Sequence, residues 1–142
     1  MEYQLPRLGY RGRSPNEVMP ETDREKERGI IVPLDDQSSQ ELESSDTNEY
    51  TALRVFPMTL ELTTSLIASS LPADLRSIGV VFNPFGPNYL RGNALSCFRK
   101  AILTIRRSQN DSTIQSTIDR VVTAIDAAAE KDRCVRFNAR HC

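Results

Sequence analysis

The chain has no tryptophan, one histidine and three cysteines in 142 residues, and each shortage removes a chemistry. His141 is the second-last residue. A general base must be held rigidly and chain ends fray, so neither a Ser–His or Cys–His nucleophile pair nor a histidine metal site is expected. Cys97, Cys134 and Cys142 are odd in number and share no CxxC spacing, which argues against a disulfide framework or a zinc site. No run approaches the roughly 18 apolar residues of a membrane span. The opening Met-Glu-Tyr-Gln-Leu-Pro-Arg lacks the apolar core of a signal peptide. The expected setting is therefore intracellular, cytoplasmic or nuclear, with no membrane partner. Gly86 and Gly92 stand six apart, but no Gly-Lys-Ser/Thr follows, so there is no phosphate loop. No catalytic residue, metal or cofactor is assigned, and an autonomous enzyme is not expected.

What the chain has is a division of charge. Residues 1–50 hold six Lys/Arg against twelve Asp/Glu, a net of −6; residues 51–142 hold twelve against seven, a net of +5. The total of −1 hides a dipolar molecule. Between Asp74 and Asp111 there is no acid at all, while Arg76, Arg91, Arg99, Lys100, Arg106 and Arg107 fall there. Such a stretch attracts polyanions or acidic surfaces, the chain's own acidic portion among them.

Residues 1–50 combine four prolines and three glycines with charged and small polar runs such as Gln37-Ser38-Ser39-Gln40. That composition buries too little apolar surface to offset an ordering cost of roughly 1–2 kcal/mol per residue, so a disordered acidic tail is expected over 1–50. Two features interrupt it. Gly29-Ile30-Ile31-Val32-Pro33-Leu34 is an apolar island that suits an edge strand, a linear motif or a sticky spot in a loop. Ser14, after Arg11 and Arg13 and before Pro15, is a phosphosite candidate.

The remainder, 51–142, reads as a small α+β domain of two or three short strands and about three helices. Ala52 to Phe56 suggests a strand ending at Pro57. Residues 60–71 suit helix or strand, and helix is favoured, with Thr59 as cap and Pro72 beyond the end. Ile78-Gly79-Val80-Val81-Phe82 reads as a buried strand leading into a Pro/Gly/Asn loop through Gly92. Asn93 is placed as the cap of a helix carrying Leu95, Phe98, Ile102 and Ile105 on one face. Ser112 and Gln115 have capping-box spacing before a helix whose Ile114, Ile118, Val121, Val122 and Ile125 share a face. The sequon Asn110-Asp111-Ser112 is read as part of that cap. Cys134 to Phe137 suits a last short strand or a tail.

The candidate binding surface is basic: Arg91, Arg99, Lys100, Arg106 and Arg107, with Phe85 and Tyr89 as stacking candidates. One reading has the cations track phosphates of a single strand while an aromatic stacks on a base; another has them meet an acidic protein surface. The plain alternative makes Arg99, Lys100 and Arg106 the solvated side of an amphipathic helix and the aromatics core. A second copy of the chain is a further candidate partner. Cys97 is read as a packing residue.

Ile105-Arg106-Arg107-Ser108-Gln109-Asn110-Asp111-Ser112-Thr113 followed by Ile118-Asp119-Arg120-Val121-Val122, with Gly79-Val80-Val81-Phe82-Asn83-Pro84 upstream, resembles the C-terminal small domain of fold-type-I pyridoxal-phosphate enzymes, the aminotransferase and decarboxylase group. The resemblance covers residues 79–130. It implies a strand over 101–106 and matches Arg106 to the arginine that grips a substrate carboxylate. The chain has no counterpart of the large cofactor-binding domain and no Schiff-base context at Lys26, Lys100 or Lys131. The resemblance therefore implies a truncated, catalytically inactive relative.

Overall fold

The computed structural model describes residues 29–44 and 51–140, so Ser14 and the prolines and charges before Gly29 lie outside it. The fold is α+β, as expected, with four strands and five helices among the described residues. In chain order these are β1 (Gly29–Pro33), α1 (Asp36–Glu43), β2 (Leu53–Pro57), α2 (Leu60–Ala68), α3 (Leu71–Ser77), β3 (Pro87–Leu90), α4 (Asn93–Ser108), α5 (Ser112–Glu130) and β4 (Val135–Asn138).

The sheet has the order β2-β1-β4-β3 and every neighbouring pair is antiparallel. The apolar island is thus neither loop nor edge: β1 is an interior strand, paired with β2 on one side and β4 on the other. Its β-branched residues suit a position buried on both faces. The folded unit therefore reaches back to Gly29, and residues 29–44 are not part of a tail. Gly29 is fixed by space, because a Cβ there would stand 2.6 Å from the Phe56 carbonyl oxygen on β2.

Alternation along β1 separates two cores. Ile30 and Val32 face the larger one, with Phe56, Leu90, Val135 and Phe137 from the sheet and apolar residues of α2 to α5. Ile31 faces the smaller one, with Leu42 of α1, Leu53 and Val55. At the centre of the large core, the Phe98 and Phe137 rings lie 5.1 Å apart at 50°, a tilted contact favourable to aromatic pairs.

The helix ends explain most departures from expectation. Thr59 caps α2 as anticipated, accepting from Leu62 N–H at 3.1 Å. Pro72 follows α2 but also sits in the first turn of α3, where its missing N–H costs nothing. α3 then ends in a Schellman motif: Gly79 takes φ +84°, its N–H donates to Arg76 and the N–H of Val80 donates to Leu75. The expected strand over 78–82 is therefore a helix stop and an exposed turn. β3, within the supposed loop, supplies the missing edge.

Asn93 is the first residue of α4, and its N-cap Gly92 makes no side-chain cap bond. α5 is capped by Asp111, not Ser112: the carboxylate accepts from Thr113 N–H at 2.8 Å and Ile114 N–H at 3.3 Å. Gln115 donates to the Gln109 carbonyl instead of returning to the cap. A charged acceptor one residue upstream moves the cap there, and the Gln115 N–H bonds the Asp111 carbonyl. The buried face of α5 is the expected one, with Ile118, Val121, Ile125 and Ala128 inside.

Candidate functional site

α4 and α5 are antiparallel neighbours, and their charges interlock. Arg99 places Nε 2.7 Å and Nη2 3.2 Å from the two carboxylate oxygens of Asp126. Arg106, seven residues on, does the same with Asp119 at 2.6 and 3.0 Å. Seven residues is two helical turns, so both arginines lie on one flank of α4 and both aspartates on the facing flank of α5. The hydrogen bond from Arg106 lowers the Asp119 pKa below the usual carboxylate range, against a smaller opposing effect of desolvation. Two of the expected binding cations are thus engaged within the fold.

Arg91 is engaged as well. Its Nη1 lies 3.2 Å from Glu43 at the end of α1, and its Nη2 lies 3.1 Å from Asp132 after α5. Asp132 is brought there by a second Schellman ending. It takes φ +54°, which aspartate tolerates better than most residues, and Arg133 N–H donates back to Ala128. Arg133 in turn places Nε 2.9 Å from Asp36. The acidic and basic parts of the chain therefore meet directly, at Glu43–Arg91 and Asp36–Arg133. The shallow cleft they line carries both signs of charge.

The other two cations of α4 differ. Lys100 and Arg107 are exposed, again seven residues apart, and α4 contains no acid. Neither has an ion pair among the described residues. Of the two stacking candidates, Tyr89 is half-buried in β3, opposite Arg136 of β4. Phe85 is 70% exposed, on the turn between α3 and β3. The structure therefore splits the predicted set. Arg91, Arg99 and Arg106 are structural ion-pair members, Lys100 and Arg107 form an outer row, and Phe85 stands on an uncharged turn.

Residues 101–106 lie inside α4, so the strand implied by the pyridoxal-phosphate resemblance is absent there, and Arg106 faces Asp119. Cys97 is half-buried and packs against the large core. Cys134 is buried, which pushes its thiol up to about 11 and makes it a poor nucleophile. Among the described residues no group of three or more His, Cys, Asp and Glu side chains is arranged to hold a metal ion. No helix among them is long and apolar enough to cross a membrane.

Sequence reasoning placed a loop over 83–92 but missed what holds the turn within it. Its inner groups are held by Asn88, which is nearly buried. The Asn88 side chain accepts from Asn83 N–H at 2.6 Å and donates to the carbonyls of Asn83, Gly86 and Phe137. The paired asparagines flanking Pro84 to Pro87 were the available signal, since asparagine side chains substitute for backbone partners in turns. No family model, no curated protein and no solved structure matches this chain.

Proposed function

We propose that the protein is a non-enzymatic interaction protein whose α+β unit binds an acidic protein surface through the basic outer row of α4. The observation that carries this reading is the division of the α4 cations: Arg99 and Arg106 are neutralised by α5, while Lys100 and Arg107 are exposed on a helix without an acid. Exposed cations unopposed on their own element raise the local concentration of anionic partners. An acidic protein is favoured over single-stranded nucleic acid because stacking aromatics do not interleave with these cations. Tyr89 is half-buried in a strand, and the turn that carries Phe85 has no charge. Residues 1–28 hold six Lys/Arg and six Asp/Glu, so the segment before the fold has no net charge to set against this row.

The test is binding of the full chain to polyglutamate and to a single-stranded oligonucleotide across a salt series. Polyglutamate should bind at low salt and weaken steeply as salt rises. The double variant K100E/R107E should lose that binding while its thermal unfolding is unchanged. Equal binding by the native chain and the double variant would refute the reading, and preferential oligonucleotide binding would transfer the function to nucleic acid.

A further inference from the structure

The outer cations of α4 repeat the spacing of the inner ones. Arg99 and Arg106 are seven residues apart, and α5 meets them with Asp126 and Asp119, also seven apart. Lys100 and Arg107 repeat that interval one residue further along, turned about 100° around the helix onto an exposed flank. Between them Thr104 is exposed and small, and its hydroxyl already donates to the Lys100 carbonyl at 2.9 Å, so it adds no competing donor. One flank of α4 is thus occupied by a helix with matching carboxylates, and a second flank carries the same cation spacing.

We propose that the outer row receives a helix of a partner protein that carries two carboxylates seven residues apart, as α5 does on the inner row. This rests on the reading of Lys100 and Arg107 as the binding surface and names the form of its acidic partner. Spacing selects a helix. Seven helical residues span about 10.5 Å, which two carboxylates match when they stand two turns apart on one face of a partner helix. On one face of an extended peptide, side chains recur at roughly 6.6 and 13 Å and straddle that span. The fold supplies the precedent, because α5 satisfies the inner cations with this same interval at 2.6 to 3.2 Å. The chain's own acids do not serve the outer row. In all 142 residues only Asp36/Glu43 and Asp119/Asp126 are acid pairs seven apart. Those four carboxylates already meet Arg133, Arg91, Arg106 and Arg99. Neither a second copy nor the N-terminal portion therefore offers a further pair, and the helix comes from another protein.

The experiment titrates two stapled helical peptides of one composition, with two glutamates either seven or four residues apart, into the full chain at low salt. Side-chain nitrogen NMR of Lys100 and Arg107 reads the binding. The native chain should bind the seven-apart peptide about two- to fivefold more tightly, the range that one well-placed exposed ion pair supplies. The variant T104R/R107T keeps the charge and composition of α4 but moves its second outer cation from seven residues to four. It should reverse the preference. Both substituted side chains are exposed, so the variant should melt with the native chain. Polyglutamate should bind the native chain and T104R/R107T alike and K100E/R107E poorly. Loss of that result removes the row itself, whereas the peptide comparison tests only the helix. The helix is overturned if the two peptides bind equally, if T104R/R107T does not reverse the preference, or if a proline-broken seven-apart peptide binds as well as the helical one. A dimer of the chain alone that disappears in K100E/R107E would give the row to a second copy and overturn the proposal as well.

Discussion

Arg106 and Asp119 are joined by two hydrogen bonds, at 2.6 and 3.0 Å, across the seam between α4 and α5. The pair repeats seven residues away as Arg99–Asp126. Planar guanidinium meets planar carboxylate in both, a geometry that lysine cannot reproduce. Both pairs tie the flank of α5 to that of α4 beside the shared apolar seam.

Asp119 should therefore titrate below the ordinary aspartate value of 3.8. A folded-state pKa below the unfolded one means that the stabilisation is present above pH 3.8. It is lost as pH falls through the lower, folded value. Carboxyl NMR titration of the native chain and of Arg106→Ala checks this, the variant returning Asp119 toward the ordinary range. Both side chains are partly exposed, so the effect should shrink with added salt. An unshifted Asp119 in the native chain would remove the pair from the account.

Asn88→Ala should destabilise the fold by about 1–3 kcal/mol, because it removes the side-chain partner of the Asn83 N–H and of the Asn83 and Phe137 carbonyls, while the Gly86 carbonyl keeps the Ala139 N–H. Asn88→Asp should do no better, since it turns an acceptor oxygen toward carbonyls. Urea unfolding measures both. Native-like stability in Asn88→Asp would show that the amide is not the clamp.

At the start of α5, Asp111→Ala should cost about 1 kcal/mol and Ser112→Ala less than about 0.5 kcal/mol. Thermal unfolding of the two single variants decides between them. A larger loss in Ser112→Ala would restore the serine as cap.

Removal of residues 1–50 should abolish folding, because it deletes the interior strand β1 together with α1. The far-ultraviolet circular dichroism of the shortened chain should show no cooperative transition. A stable, cooperatively melting product that begins near residue 50 would contradict the sheet order.

Periodicity was readable wherever one side of an element was plainly apolar. The faces of α4 and α5, the cap of α2 and the strand over 53–57 follow from spacing, because a helix or half-buried strand imposes its period on its own residues. Gly79 shows the limit. Its neighbours Val80, Val81 and Phe82 have strand-like composition, yet a left-handed residue placed just after a helix redirects the chain before a strand can form.

The sequence alone determined that acids crowd residues 1–50 and bases residues 51–142, that histidine occurs once, and that two amphipathic helices lie toward the C-terminus. Only the tertiary structure decided what the polar N-terminal stretch does. Ser38 and Ser39 look like linker residues, but their hydroxyls accept from the buried N–H groups of Ala52 and Cys134, 14 and 95 residues away. Likewise, Arg99 and Lys100 are adjacent and equivalent in sequence. One is paired and one is not because successive helix residues point about 100° apart and α5 lies on only one of those sides. Long-range pairing of this kind leaves no local trace, since each partner is satisfied by groups that the chain brings together only when it folds.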